Sequence, residues 1–297
     1  MAIVKICASG IWRMTSSLLV KPYVATDAEG TVFHITPSGV GWQYTGFDLH
    51  RISAGQTLTR RNDGIECCAV VISGSARFKT AGAPDQSTGY RGSPFDHNVW
   101  AFYTSAGAEW SVTALEPLEI AFCTAPGWTA RPARMIGPSD VRREVRGDSG
   151  NLRTVADILP QDIDVADSLL VLEAWTPPSN WSSYPPHKHD EDDLPHESKL
   201  EEVYYHRINP PSGFAIQRIY TKDRSIDETL AVTDGDVVLV PRGYHPVGAP
   251  YGYDLYYLNV MAGPKRVWRT RPDPDHEWLL NRRKDVPLGT ADLASEP

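Results

Sequence analysis

Few stretches of this chain hold an apolar period of 3.6 for three helical turns. Short apolar or alternating runs between turn residues recur throughout it instead. One series covers 31–35, 47–52, 66–72, 76–79, 110–114 and 118–124. A second covers 169–176, 202–208, 214–220, 229–233, 236–241 and 253–260. Scattered Gly and Pro supply the turns, and the pattern restricts the chain to an all-β architecture. Between the series, 126–160 is polar and rich in Arg, Gly and Pro, which reads as a linker carrying one docking strand.

With 297 residues the chain can bury a full core, as one large domain or as two of about 150 residues each. The expected division is an extension over 1–13, a first barrel over 14–150, a second over 151–280 and a tail over 281–297. A net charge of −8 offers no attraction to nucleic acid or to an anionic membrane. No apolar run approaches the ~18 residues that span a bilayer, so a soluble protein is expected. Cys67 and Cys68 are adjacent in an apolar strand and point to opposite faces, so they are poor partners for each other. With Cys7 and Cys123 they read as reduced thiols of a cytoplasmic protein. A homo-oligomer is also expected.

The chemistry-bearing residues lie in the second series. Pro185-Pro186-His187-Lys188-His189 places two imidazoles on one face of a strand, because side chains alternate with period two. Glu201-Glu202 follows after an acidic, turn-rich segment that reads as a solvated loop over 190–193. His245 closes the run Gly235–His245, a buried strand ending in a tight turn. Three imidazoles and one carboxylate suit a divalent transition metal with coordination positions left open. Spacing alone leaves Glu201 or Glu202 as the carboxylate. Counting back from the turn at Asn209 favours Glu202, with Tyr204 and His206 on the same face. The run Glu66–Gly74 has the same Glu-apolar-turn form as Glu202–Asn209, but no H-x-H precedes it and His50 and His97 are isolated. Two related barrels are therefore expected, the first without a metal.

The pattern H-x-H, Glu, then Gly-x5-Pro-x-Gly with a nearby His resembles the two motifs of the cupin superfamily. More closely, Asn180–Asp190, Leu200–His206, Asp227–Thr229, Val240–Val247 and Tyr256–Gly263 are similar to the 5-deoxy-glucuronate isomerases of bacterial myo-inositol catabolism. The likeness extends from about Leu18 to Trp278, with Gly41-Trp42 and Arg91–Asp96 carrying it in the first half. It implies a bicupin of two jelly-roll-like barrels that converts 5-deoxy-D-glucuronate to 2-deoxy-5-keto-D-gluconate through an enediol. The expected metal ligands are His187, His189, Glu202 and His245. Zinc is the first choice for its lack of redox chemistry, with manganese, iron or nickel as alternatives.

An enediol route needs an acid–base group, and strand parity offers Tyr204 and His206. The substrate is a small sugar acid whose carboxylate calls for a cation, for which Arg218, Arg242 and Lys199 are the candidates. The same donor set would also serve a 4-deoxy-5-hexosulose-uronate isomerase, a cupin dioxygenase or a non-catalytic sugar-binding cupin.

Overall fold

A computed structural model of the protein describes residues 18–24 and 27–281. The expected extension over 1–13, Cys7 and all but the first residue of the expected tail lie outside them. The described chain is strands joined by turns, with three short 3-10 segments.

Two large antiparallel sheets form the centre. One has six strands in the order Arg134–Ile136, Trp100–Thr104, Ile65–Ser73, Leu118–Pro126, Gly46–Ile52 and Thr31–Ile35. The other has seven: Leu19–Val20, Val237–Val240, Glu201–Asn209, Asp254–Ala262, Leu170–Thr176, Arg153–Leu159 and Arg142–Arg146. Phe33, Phe47, Leu49, Cys68, Val70 and Tyr103 of the first pack with Val203, Tyr205, Tyr256, Leu258 and Val260 of the second in one buried cluster. The central strands are therefore buried on both faces, which explains why several read as continuous apolar runs rather than alternating ones.

A four-stranded sheet covers the far side of each large sheet. In the first half, Leu58, Phe78, Trp110 and Val112 close over Cys67, Ala69, Phe102 and Phe122. In the second, Ala215, Ile219, Leu230 and Val247 close over Tyr204, Leu172, Tyr257 and Met261. Strand pairing relates the two halves residue by residue. Glu66 lies opposite Ala125, and Glu201 lies opposite Ala262. The structural counterpart of Glu66 is thus Glu201, one residue from the alignment read in the sequence, and Cys67 occupies the place of Glu202.

Two elements depart from the expected division. Arg142–Arg146 pairs with Arg153–Leu159 at the edge of the seven-stranded sheet, so the crossing between halves precedes residue 142, and the supposed linker supplies three strands, Arg134–Ile136 to the first half and these two to the second. At the other edge, Leu19–Val20 pairs with Val237–Val240, and Lys21 Nζ lies 2.6 Å from Asp236 Oδ2. The first described strand of the chain thus belongs to the second half.

Buried polar contacts join the halves. Glu66 accepts the backbone N–H groups of Asp167, Ser168 and Leu169, and the Tyr103 hydroxyl. Reciprocally, Glu201 accepts those of Gln43, Tyr44 and Thr45. Arg91, fully buried, forms a bidentate pair with Glu173 at 2.7 and 2.9 Å and also donates to the carbonyls of Val71 and Pro94. Removing one partner of such a pair strands a charge in the interior, whereas replacing both with apolar groups does not. Glu173→Ala should therefore cost about 3–5 kcal/mol in urea denaturation, and Arg91→Met combined with Glu173→Leu far less. A loss below ~1 kcal/mol for the single variant would show that the pair contributes little.

Candidate metal centre

Strand parity places the carboxylate. On Glu201–Asn209 the odd residues Val203 and Tyr205 join the cluster between the large sheets, while Tyr204 faces the interior of the second half. Glu202 therefore points inward and is 2 % exposed. Its Oε1 accepts from Asn259 Nδ2, and its Oε2 lies 2.9 Å from His189 Nε2 and 3.1 Å from His245 Nε2. The ligand atoms of His189, Glu202 and His245 all lie within 4.8 Å of one another. His187 stands at the edge of this group, its ring centroid 5.4 Å from that of His245.

The donor chemistry fits a cation. His245 Nδ1 lies 2.8 Å from the Gly243 carbonyl and His187 Nδ1 lies 3.1 Å from the Pro185 carbonyl. Each ring can satisfy that carbonyl only by donating Nδ1–H, which leaves Nε2 with its lone pair. For His245 that lone pair faces a carboxylate oxygen without the alignment of a hydrogen bond. Two acceptors so placed repel unless a positive charge lies between them. Burial and the neighbouring His245 and His189 push His187 down to about 3, so it is neutral and free to ligate. Burial opposes ionisation of Glu202, and positive charge beside it, carried by His245 and His189 when no cation lies between them, holds the carboxyl well below the usual range.

The H-x-H motif lies on a strand of only two residues, His187–Lys188, paired with Arg271–Pro272. Its rigidity comes from the acidic segment behind it. Leu200 N–H donates to the His189 carbonyl, so residues 190–199 leave and return at one point. Lys188, on the opposite face from the two imidazoles, places Nζ 2.6 Å from Asp190, 2.9 Å from Glu191 and 2.8 Å from Glu197. Glu197 is fully buried and also accepts the N–H groups of Asp190 and Glu191. Asp190 Oδ2 accepts from Gly243 N–H, which ties the segment to the turn carrying His245. Glu191, Asp192 and Asp193 are exposed as expected, but the segment is also a folded brace in which the ammonium of Lys188 occupies the space among the carboxylates of Asp190, Glu191 and Glu197.

A pocket opens on the centre, lined by His187, Glu202, Tyr204, Tyr257, Asn259 and Arg153 among others. Tyr204 Oη lies 2.9 Å from Ser183 Oγ, and Tyr257 Oη lies 2.5 Å from Ser182 Oγ. Burial raises the pKa of both phenols, that of Tyr204 well above its ordinary value with Glu202 adding to the effect. His206 shares the inward face of the strand but does not line the pocket. It is fully buried, stacks parallel to Tyr204 at 5.7 Å and places Nε2 3.0 Å from Gln217 Oε1. Burial pushes its imidazole down to about 4.

The three cations expected for the substrate lie elsewhere. On Phe214–Tyr220 the inward residues are Ala215, Gln217 and Ile219, so Arg218 faces out, pairs with Asp227 at 2.9 Å and lies over Tyr220. Arg242 donates to Ser225 Oγ in a separate depression, and Lys199 is exposed. The guanidinium groups that line the pocket are those of Arg146 and Arg153, and Arg153 is overlooked where 126–160 reads as a linker. The alternation Arg153, Val155, Asp157 against Ala156 and Ile158 was its available signal.

The counterparts of the ligand strand in the first half are Cys67, Ala69 and Val71, packed in an apolar interior. His97 stacks on Trp175, and His50 lies beside Phe122. Purified protein should accordingly bind about one metal ion per chain by elemental analysis. Two ions per chain would place a second site in the first half. Because the brace aims the imidazoles, Lys188→Ala should weaken metal affinity by about 10- to 100-fold in chelator competition. Unchanged affinity would leave Lys188 with a stabilising role alone.

Comparison with known proteins identifies the family. The model of the KduI/IolB family matches residues 18–279. The chain is 50 % identical to the 5-deoxy-glucuronate isomerase of Geobacillus kaustophilus over 269 residues, covering 90 % of this chain and 97 % of the relative. A crystal structure of an IolB-like protein from Salmonella typhimurium superposes with a TM-score of 0.84 at 45 % identity, covering 89 % of this chain and 100 % of that one. The oxalate decarboxylase of Lactobacillus farciminis, in its formate complex, shares the fold at a TM-score of 0.64 and 13 % identity, over 91 % of this chain and 92 % of its own. The chain has an all-β cupin fold and belongs to the KduI/IolB family.

Proposed function

We propose that this protein is a cytoplasmic aldose–ketose isomerase that converts 5-deoxy-D-glucuronate to 2-deoxy-5-keto-D-gluconate. One divalent cation would be held by His187, His189, Glu202 and His245. The observation that carries the reading is a buried cluster of His189, Glu202 and His245, with His187 at its edge, beside a pocket lined by two phenols and the guanidinium groups of Arg146 and Arg153. It stands in a chain that aligns almost end to end with relatives named for this reaction. Zinc is the first choice, since an isomerisation needs charge and no change of oxidation state.

The bound cation would supply Lewis acidity toward a substrate carbonyl. Around it, the chain's own residues orient the sugar and manage protons. Over the reaction a C2–H bond is broken and a C1–H bond is made, with a proton moving between the adjacent oxygens. Both phenols stay protonated through neutral pH, so Tyr204 and Tyr257 act as donors toward oxygens that gain negative charge. Ser183 and Ser182 hold their hydroxyls in place. Tyr204 is the acid of the pair in direct reach of the pocket. His206, packed beneath it, positions the ring and takes no proton from substrate.

Two measurements test the reading. Metal-loaded protein should interconvert the two sugars, and His187→Ala should abolish turnover with most of its metal content lost. Tyr204→Phe should keep the metal and lower kcat by about 10²- to 10³-fold, the usual loss on removing one such donor. An inert wild-type protein that consumes oxygen on addition of iron and the uronate would instead indicate a dioxygenase.

A further inference from the structure

Arg146 and Arg153 are direct partners across the antiparallel pair at the edge of the seven-stranded sheet. Like charges opposite one another destabilise a sheet, and these two line the pocket that contains Glu202 and His187. Arg146 is partly neutralised, since it bonds Glu144, lies 4.0 Å from Asp157 and rests on the Trp268 ring at 5.5 Å. Arg153 is not. Among the described residues no carboxylate forms an ion pair with it, and Nη1 donates to the Asn151 carbonyl at 2.9 Å. A guanidinium has five N–H donors, so most of its donor capacity remains available.

The turn over 147–151 holds Arg153 in this position. Gly147 has φ +80, and a Cβ there would stand 2.1 Å from the Asn151 carbonyl oxygen and 2.7 Å from Arg153 Nη1. Burial and the neighbouring Arg146 both disfavour the charged form of Arg153. A half-buried guanidinium kept without a counter-ion, at the mouth of a site in a chain of net charge −8, calls for an anion from outside.

We propose that Arg153, supported by Arg146, receives the carboxylate of the substrate and sets the preference of the site for sugar acids over neutral sugars. This rests on the isomerase reading for the identity of the sugar. The guanidinium makes a charge-assisted, bidentate contact that an alcohol in the same place cannot match.

The test compares 5-deoxy-D-glucuronate with 5-deoxy-D-glucose, in which the carboxylate is a primary alcohol. Turnover, together with calorimetric binding to metal-loaded protein, is measured for wild type, Arg153→Gln and Arg153→Lys. In Arg153→Gln, kcat/KM for the uronate should fall by roughly 10- to 100-fold, mostly through KM. Values for the neutral sugar should hold within about 3-fold, so that the preference for the acid collapses. Arg153→Lys should recover part of the preference, because an ammonium restores charge without the fork. Metal content and thermal midpoint report whether the hairpin survives. If both sugars lose equally, or the preference persists in Arg153→Gln, the inference is overturned and Arg153 serves only to close its turn. A wild-type protein that binds the acid without isomerising it counts against the isomerase reading instead, and the calorimetric preference still decides the role of Arg153.

Discussion

Two consecutive carboxylates on one doubly buried strand organise this molecule. Because the side-chain period of a strand is two, Glu201 and Glu202 must face opposite ways. Glu201 reaches into the other half and accepts three backbone N–H groups, while Glu202 turns inward to His189 and His245. A slip of one residue would leave a carboxylate in only one of the two places, with Leu200 facing the other half or Val203 facing the imidazoles. Either the contact between the halves would lose its acceptor or the candidate metal centre would lose its carboxylate. The register of the central sheet and the geometry of the site are consequently one constraint.

The first half shows what the same scaffold does without that second carboxylate. Glu66 repeats the role of Glu201, opposite Ala125 as Glu201 is opposite Ala262. The next residue is Cys67, and the interior beyond it is filled by Phe78, Phe102, Trp110 and Phe122. Aromatic packing of this kind buries apolar surface and stabilises the half directly. The pseudo-symmetric contacts of Glu66 and Glu201 hold the halves together, so the first half acts as a platform against which the ligand strand is held.

Burying several imidazoles and a carboxylate opposes folding unless each is fixed and compensated. Compensation here is local. Backbone carbonyls set the tautomers of His187 and His245, Asn259 binds the far oxygen of Glu202, and the Lys188 brace aligns the H-x-H segment from behind. A site preorganised in this way meets its ligands with little reorganisation, which is the condition for strong electrostatic catalysis.

Much of this was legible before any coordinates. Apolar runs of four to nine residues located most of the sheet strands, and parity with motif spacing singled out His189, Glu202 and His245, which the structure brings together, and His187, which stands at their edge. Thr57–Arg61, Trp100–Thr104 and Arg134–Ile136 lie outside the runs read in the sequence, as do Arg142–Arg146 and Arg153–Leu159, which begin with charged residues whose aliphatic stems disguise the alternation. A cation near the ligands in sequence, such as Arg218 or Arg242, is not thereby near them in space. What the sequence determined by itself was local, namely which residues alternate and where turns fall, because backbone stereochemistry acts over a few residues. The tertiary structure alone decided which face met which partner: Glu201 stapled to 43–45, the acidic segment folded around Lys188, and Arg153 brought to the pocket. Those outcomes depend on pairing register between strands far apart in the chain, and no local preference encodes them.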